Sequence, residues 1–197
     1  MNSALKIRTF IAVRLPPAVL QALGEVSEQV AREWPEKSVR WVRPENMHLT
    51  LRFLGDTEGE KVPALGAGLD EVAGEVAPFE LQLDGMGCFP NARRPRVVWV
   101  GLQDSEERLV QLQKVVERLV RQLGWKREEG RRFRPHLTLG RVRERQRPPA
   151  GEWIQVPPSL SFRVGEVELI ESRLKPSGAE YTTLHRSALQ KRPEDVE

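Results

Sequence analysis

The sequence contains one cysteine, Cys88, and no long uninterrupted run of apolar residues. A single cysteine excludes an intrachain disulfide and a zinc site made of several cysteines. It also suits the reducing cytosol, so we expect a cytoplasmic protein. No apolar segment approaches the roughly 20 residues that span a bilayer. The segment Phe10–Val13 ends at Arg14 and is too short for the core of a signal peptide. These absences predict a protein without a membrane partner.

The composition predicts a folded chain. Hydrophobic residues make up 39% of the 197 residues, and 31 basic side chains nearly balance 28 acidic ones. This combination excludes a chain that is disordered throughout, because enough apolar surface is available for a core. The length fits one domain, residues 1–197, that consists of two lobes around a shared core.

Apolar spacing and turn residues predict alternating strands and helices. Helices are expected from Pro17 to Trp34, from a capping box at Thr57 and Glu60 to Ala73, and after Asp104 as far as Gly124. Strands joined by short turns favour an α+β fold with mostly antiparallel sheets. The predicted strands are Ile7–Leu15, Val39–Val42, Met47–Leu54, Phe79–Leu83, Arg96–Leu102, His136–Arg141, Ser161–Leu174 and Tyr181–Leu189.

A repeated tetrapeptide is the most informative feature of the sequence. His-Leu-Thr-Leu begins at His48 and again at His136, 88 residues later (136 − 48), each time shortly after Arg-Pro. The two copies use two of only three histidines in the chain. A duplicated unit explains this repetition, and it predicts two lobes related by a pseudo-twofold axis.

Strand geometry places the polar residues of each copy together. Residues i and i+2 of a strand point to one face, so His48 shares a face with Thr50, and His136 shares one with Thr138, while the leucines face the other way. We expect the two polar faces to line a cleft between the lobes. Two histidines there suit acid–base catalysis near neutral pH, and threonine hydroxyls suit phosphate oxygens. A zinc site is the alternative, but the repeat offers too few ligands. His185 lies outside the repeat, and we expect it to be structural.

The flanks of the two motifs resemble the two-histidine phosphoesterase superfamily. Within it, the chain is similar to the bacterial and archaeal RNA 2′,3′-cyclic phosphodiesterases, also called 2′-5′ RNA ligases. The likeness covers nearly the whole chain. The matching segments are Arg8–Pro16, Pro44–Gly55, Phe89–Pro90, Arg96–Gly101, Phe133–Arg141 and the spaced residues Leu174, Pro176, Gly178, Tyr181 and Leu184.

The resemblance implies a bilobal pseudo-twofold fold, with two mostly antiparallel sheets and flanking helices around a central cleft. It implies hydrolysis of RNA 2′,3′-cyclic phosphate ends to 2′-phosphates without metal or cofactor, and the reverse 2′-5′ ligation. By this likeness His136 is the proton acceptor that activates water, and His48 is the proton donor to the 3′-oxygen. Thr50, Thr138 and Arg141 would bind the phosphate. The residues alone leave open which histidine is the acid and which the base.

The positive charge is concentrated around the second motif. Residues 126–147 contain nine basic and three acidic side chains, a balance of +6, whereas the remaining residues contain 22 basic and 25 acidic ones. Phosphate neutralisation supplies much of the affinity of proteins for RNA, so we expect this segment, including Arg134, to contact the RNA chain. A merely solvated surface is the alternative. A smaller cluster at Arg93, Arg94 and Arg96 could lie on the same rim.

Aromatic residues near the motifs are candidates for contacts with a base. Phe10, Phe133 and Tyr181 could each stack on a nucleobase, and packing in the protein interior is the alternative for each. The expected partner is RNA with a 2′,3′-cyclic phosphate end, such as a tRNA fragment, bound by a monomer. Two alternatives remain open: a small nucleotide or ADP-ribose cyclic phosphate as the substrate, and a non-catalytic RNA- or nucleotide-binding module.

Overall fold

The structure is a computed structural model of the chain. It describes residues 6–126, 133–144, 146–149, 153–154, 157–176 and 178–190. None of the helices in these segments has the length and apolarity needed to cross a bilayer.

The described residues form nine β-strands and three α-helices. A 3₁₀ turn at Pro44–Asn46 precedes the strand that carries the first motif. The strands are β1 (Lys6–Arg14), β2 (Val39–Trp41), β3 (His48–Glu58), β4 (Phe79–Phe89), β5 (Val97–Gln103), β6 (His136–Val142), β7 (Ser161–Val164), β8 (Glu166–Lys175) and β9 (Gly178–Ala188). The helices are α1 (Pro17–Glu33), α2 (Val62–Glu75) and α3 (Arg108–Gln122).

These strands make one antiparallel sheet. Their order is β7-β4-β5-β6-β3-β1-β8-β9, and β2 pairs with β6 beside this path. The predicted α+β class is confirmed. The two expected sheets are joined by a short ladder between β3 and β6, in which Leu49 pairs with Leu137. One strand pair therefore connects the two halves of the molecule, and it is the pair that carries both His-Leu-Thr-Leu motifs.

The sheet is strongly curled. Strands β7 and β8 occupy the first and seventh places in the strand order, yet only Gly165 separates them along the chain. Two strands joined by a single residue must lie close together, so this edge of the sheet bends round towards β8. The sequence predicted one strand from Ser161 to Leu174; the break at Gly165 divides it between two places in the sheet.

The helices cover the leucine face of the sheet. Leu49 and Leu137 are fully buried, and Leu51 and Leu139 are at most 3% exposed, within one apolar cluster that includes residues of all three helices. Full burial of a leucine side chain contributes about 1.5–3 kcal/mol to stability. A slip of the β3–β6 register by one residue would move these leucines to the cleft and the histidines into the core. Burial of the leucines therefore fixes the orientation of the polar face.

Two helix starts differ in how they are capped. Thr57, the predicted cap of α2, lies in β3, where its hydroxyl is 2.7 Å from that of Thr9, so the capping-box prediction there is wrong. Before α3, the carboxylate of Asp104 accepts hydrogen bonds from the backbone N–H groups of Leu109 and Val110 at 3.0 and 3.3 Å. Asp104 therefore anchors the start of α3, close to its predicted position.

A bulge in β4 brings its backbone unusually close to β5. The register between these strands shifts between Leu83 and Met86, and Gly85 has a φ of +64°. A Cβ atom added to Gly101 of β5 would lie 2.5 Å from the carbonyl oxygen of Asp84. Gly101 pairs with His136 on its other side, so this close approach supports the strand that carries the second motif.

We expect Gly101→Ala to destabilise the protein by about 1–3 kcal/mol, because backbone on the neighbouring strand must move to admit the methyl group. Gly74→Ala is the matched control: Gly74 is an exposed residue of α2, and a Cβ there would contact nothing within 4 Å. Alanine in a helix is more favourable than glycine by roughly 0.5–1 kcal/mol, so the control should stabilise the protein. Urea unfolding measures both changes, and equal effects of the two substitutions would contradict the packing at Gly101.

Candidate active site

The two His-Leu-Thr-Leu motifs lie side by side in the centre of the sheet. In the antiparallel ladder between β3 and β6, Leu49 pairs with Leu137, and these are the leucines that follow the two histidines. One residue either side of this pair, His48 lies opposite Thr138 and Thr50 lies opposite His136, with side chains on the face away from the helices. All four residues are half-buried. Each histidine is therefore a cross-strand neighbour of the other motif's threonine.

Backbone carbonyls orient both imidazole rings. Nδ1 of His48 lies 2.8 Å from the carbonyl oxygen of Asn46, and Nδ1 of His136 lies 2.7 Å from that of Arg134. A carbonyl oxygen only accepts, so Nδ1 carries the hydrogen in each ring, and Nε2 of the neutral ring has a free lone pair. Asn46 is itself held, since its Nδ2 donates to the carbonyl oxygen of Ala179 at 2.9 Å. Both Nε2 atoms are thereby left for a substrate.

An aromatic ring contacts each imidazole. The ring of Phe10 lies 4.7 Å from that of His48, and the ring of Phe89 lies 5.1 Å from that of His136, measured between centroids. Tyr181 makes a second, perpendicular contact with His48 at 5.2 Å. Together with the backbone hydrogen bonds, these rings limit the rotation of both histidines.

The structure changes the role expected of Phe10. It is 1% exposed and covered by other side chains, which favours packing, the alternative to stacking on a base. Its neighbour Phe53 is 45% exposed, and their ring centroids are 5.8 Å apart. Strict alternation from His48 places Phe53 on the helix side. A register shift that leaves Leu51 unpaired returns Phe53 to the cleft side, opposite Phe10, which is why sequence reasoning missed it.

A register shift of the same kind brings Arg141 to the cleft face beside the second motif. Between β5 and β6 the register skips Leu139, so Arg141, five residues after His136, returns to the cleft face as Phe53 does after His48. Burial dominates the pKa shifts of both histidines and of Tyr181; the positive charge of Arg141 adds to the lowering at the histidines and partly offsets the rise at Tyr181. The charge of Arg141 therefore acts on the histidines of both motifs.

Burial keeps both histidines neutral in the ligand-free protein. Desolvation, the largest effect, lowers the pKa of His48 from 6.5 to about 4, with smaller contributions from Arg14, Arg141 and His136. Desolvation also lowers the pKa of His136, and Arg141 adds to this effect. The hydrogen bonds to the backbone carbonyls oppose these shifts because they favour the charged rings. Near pH 7 either ring would gain a proton only if a nearby negative charge raised its pKa.

Four arginines make the cleft positive around Tyr181. Burial raises the pKa of the Tyr181 phenol, while the charges of Arg141, Arg14, Arg40 and Arg8 lower it to a smaller extent. The phenol is therefore protonated at neutral pH and available as a donor. The basic segment predicted from the sequence supplies one of these arginines; the other three come from β1 and β2. Sequence reasoning missed them because they are far apart along the chain.

The other basic and aromatic candidates lie around the second motif. Arg134 is exposed, and its guanidinium carbon is 6.0 Å from the centroid of the Phe89 ring, which itself contacts His136. Phe133 is half-buried against the main apolar core, so packing is its role here. Arg143 and Arg147 are exposed, as are Arg93, Arg94 and Arg96 in the segment that follows Phe89. Four arginines of the predicted basic segment, Arg127, Arg131, Arg132 and Arg145, lie outside the described residues.

The third histidine lies on the other face of the sheet. His185 pairs with the core residue Leu169, and its Nε2 is 2.9 Å from a carboxylate oxygen of Asp70 in α2. The structural role expected for His185 agrees with this contact. Within the segments that the structure describes, no group of three or more His, Cys, Asp or Glu side chains is arranged to hold a metal ion.

Curated relatives share most of the length of the chain. An RNA 2′,3′-cyclic phosphodiesterase of Thermus thermophilus is 37% identical over 195 residues, which covers 93% of this chain and 91% of the relative. A protein of the same name from Aquifex aeolicus is 32% identical over 169 residues, with 83% and 89% of the two chains covered.

Solved structures share the fold. A crystal structure of a Thermus thermophilus protein superposes with a TM-score of 0.80 at 32% identity, over 93% of this chain and 98% of the other. The crystal structure of E. coli LigT complexed with 3′-AMP gives a TM-score of 0.75 at 30% identity, over 95% and 100% of the two chains. The family described as the 2′-5′ RNA ligase superfamily matches residues 16–176. The resemblance seen in the sequence is thus confirmed, and the chain belongs to the 2′-5′ RNA ligase superfamily.

Proposed function

We propose that this protein hydrolyses RNA 2′,3′-cyclic phosphate ends to 2′-phosphates, with its two motif histidines as acid and base and without a metal ion. The main support is the geometry of the two imidazoles. Each forms a hydrogen bond from Nδ1 to a backbone carbonyl, so both Nε2 atoms are free on the same polar face. A threonine of the opposite motif lies across from each ring. Such a site can donate and accept a proton at a phosphate held between the two strands.

The relatives support both the reaction and the ligand. Curated proteins at 32–37% identity and high coverage are named RNA 2′,3′-cyclic phosphodiesterase, so the predicted enzyme class is confirmed at the level of the family. Structures of E. coli LigT contain 3′-AMP or phosphate, ligands that share the phosphate group of the proposed substrate.

The proposed step breaks one bond and moves two protons. His136 takes a proton from water through Nε2, and the water oxygen forms a bond with phosphorus. The bond between phosphorus and the 3′-oxygen breaks, and His48 donates a proton to that oxygen through its own Nε2. The products are a 3′-hydroxyl and a 2′-phosphate. When a 5′-hydroxyl replaces water as the nucleophile in this step, the 3′-oxygen leaves in the same way and the product is a 2′-5′ linkage.

The substrate itself supplies the conditions for proton donation. Both histidines are neutral in the free protein near pH 7, because burial lowers their pKa values. A bound phosphate anion raises the pKa of an adjacent imidazole, since it stabilises the charged ring. The hydroxyls of Thr50 and Thr138 and the guanidinium of Arg141 would hold the phosphate oxygens. The assignment of His48 as acid and His136 as base follows the family likeness, since the geometry of the two motifs is nearly equivalent.

The arginines around the cleft suit an RNA chain. Arg8, Arg14 and Arg40 lie on the side of Tyr181, and Arg134 and Arg141 lie beside the second motif. The exposed ring of Phe53 offers an apolar surface in the same cleft, suited to a base.

We expect His48→Ala and His136→Ala each to lower kcat for 2′,3′-cyclic AMP by at least about 10²- to 10⁴-fold, the contribution of a general acid or base. Turnover is measured with EDTA present, by separation of the cyclic nucleotide from the 2′-phosphate product.

His185→Ala is the matched control, because His185 contacts Asp70 on the helix face of the sheet and should leave kcat unchanged. Full activity of either motif variant would contradict the two-histidine mechanism. Loss of wild-type activity with EDTA would show that a metal takes part.

The pH dependence of kcat/KM should reflect the lowered histidine pKa values. The active free enzyme carries one proton on the pair, and this proton is lost as the pH rises through the higher of the two pKa values. Since both pKa values lie below 6.5, the decrease of kcat/KM with rising pH should begin below about pH 6.5. The alkaline limb of kcat should lie at higher pH, because the bound anion stabilises the protonated acid. Coincident limbs at about pH 7 or above would contradict the burial effect.

A further inference from the structure

A buried carboxylate lies in the cleft beside the first motif. Glu168 of β8 has a side chain that is 2% exposed, and it faces the cleft because it pairs with Ala12 of the apolar cluster around Phe10. Its carboxylate accepts hydrogen bonds from Thr183 Oγ1 at 2.7 Å, from Arg186 Nε at 2.9 Å and from Arg14 Nε at 3.3 Å. A buried carboxylate that accepts three hydrogen bonds is satisfied, and it holds its partners in place.

The most consequential partner of Glu168 is Arg14. Arg14 lies directly opposite His48 in the β1–β3 ladder, so both side chains leave the sheet on the cleft face. Only its Nε is bonded to Glu168, and its two terminal nitrogens have no hydrogen-bond partner among the described residues. Its side chain is 31% exposed. Arg14 therefore presents free donors, in a fixed position, next to the proposed acid.

A groove begins where Arg14 lies. The ladder between β1 and β8 ends at the pair Ala12 and Glu168, beyond which the two strands diverge. The gap has a volume of about 350 Å³, and it is lined by Val13–Pro16 and by Arg163, Gly165 and Glu166. Arg14 lines this gap, and its side chain lies on the same face of the sheet as that of His48. The groove therefore continues the cleft past the first motif.

The groove can follow the RNA chain away from the reacting end. The nucleotide with the cyclic phosphate is the last of its chain, so the RNA continues from its 5′-oxygen through one phosphodiester to the preceding nucleotide. A guanidinium fork binds phosphate oxygens through two parallel donors. Glu168 holds Arg14 at Nε and leaves that fork free.

We propose that Arg14, positioned by Glu168, binds the phosphodiester directly upstream of the cyclic phosphate, and that the groove takes the preceding nucleotide. This inference rests on the proposed hydrolysis of RNA 2′,3′-cyclic phosphate ends. It adds a subsite that distinguishes an RNA chain from a cyclic mononucleotide. Arg163, which also lines the groove, supplies a second positive charge there.

The test compares three substrates with wild type, Arg14→Gln, Arg14→Lys and the control Arg108→Gln, which removes a half-buried arginine of helix α3 that pairs with Glu106. The substrates are 2′,3′-cyclic AMP, an ApA dinucleotide with a 2′,3′-cyclic end, and the same dinucleotide with an uncharged methylphosphonate linkage. The mononucleotide shows whether each variant is folded and active, and kcat and KM are measured separately.

Arg14→Gln should lower kcat/KM for the normal dinucleotide by about 10- to 100-fold, mainly through KM, as expected for loss of a charge-assisted hydrogen bond. Because Arg14 also lowers the pKa of His48, cyclic AMP serves as the reference substrate: the ratio of kcat/KM for the dinucleotide to kcat/KM for cyclic AMP should fall by about 10-fold or more. The methylphosphonate dinucleotide should not distinguish wild type from Arg14→Gln, Arg14→Lys should recover part of the loss, and the control should behave as wild type.

Two results would overturn the subsite. An equal loss on mononucleotide and dinucleotide would place Arg14 at the reacting phosphate, and unchanged KM for the dinucleotide would leave Arg14 without a role in binding. Failure of the proposed function gives a different result, because wild type would then turn over none of the three substrates.

Discussion

The antiparallel pairing of Leu49 with Leu137 determines the geometry of the whole molecule. Among the described residues it is the only paired position between β3 and β6, and it joins the two halves of the sheet. Both leucines are fully buried beneath the helices, so the pairing is held by the apolar core. The same register turns His48 and His136 to the opposite face, each across from a threonine of the other motif. Stability and chemistry thus use alternate residues of the same two strands.

Burial also sets the proton chemistry of the site. The rings that pack against the histidines remove water from them, which lowers both pKa values, and the backbone carbonyls bonded to Nδ1 only partly offset this effect. Arginines around the cleft lower the pKa values further and attract an anionic substrate. An empty site therefore holds neutral imidazoles, and a phosphate anion that neutralises the arginine charge favours protonation of one ring. In the proposed mechanism, binding of the phosphate and activation of the acid are coupled through these charges.

Much of this arrangement follows from the sequence. Alternation within each repeat was enough to separate the polar and leucine faces, and the duplication predicted two related halves. Two kinds of feature were not accessible. Register shifts in β3 and β6 move Phe53 and Arg141 to the cleft face, against simple alternation. Long-range contacts, such as that of Arg14 with Glu168, join residues 154 positions apart. Such pairs have no local signal, because the sheet order rather than the chain order brings them together.

The tautomer and the pKa of the two histidines in the ligand-free protein test the proposed acid–base mechanism most directly. Long-range ¹H–¹⁵N correlation spectra across a pH titration report both for each ring. The structure predicts that both neutral rings carry their proton on Nδ1 and that His48 titrates at about 4. An Nε2–H tautomer in either ring, or titration of His48 at its ordinary value of 6.5, would contradict the proposed basis of catalysis.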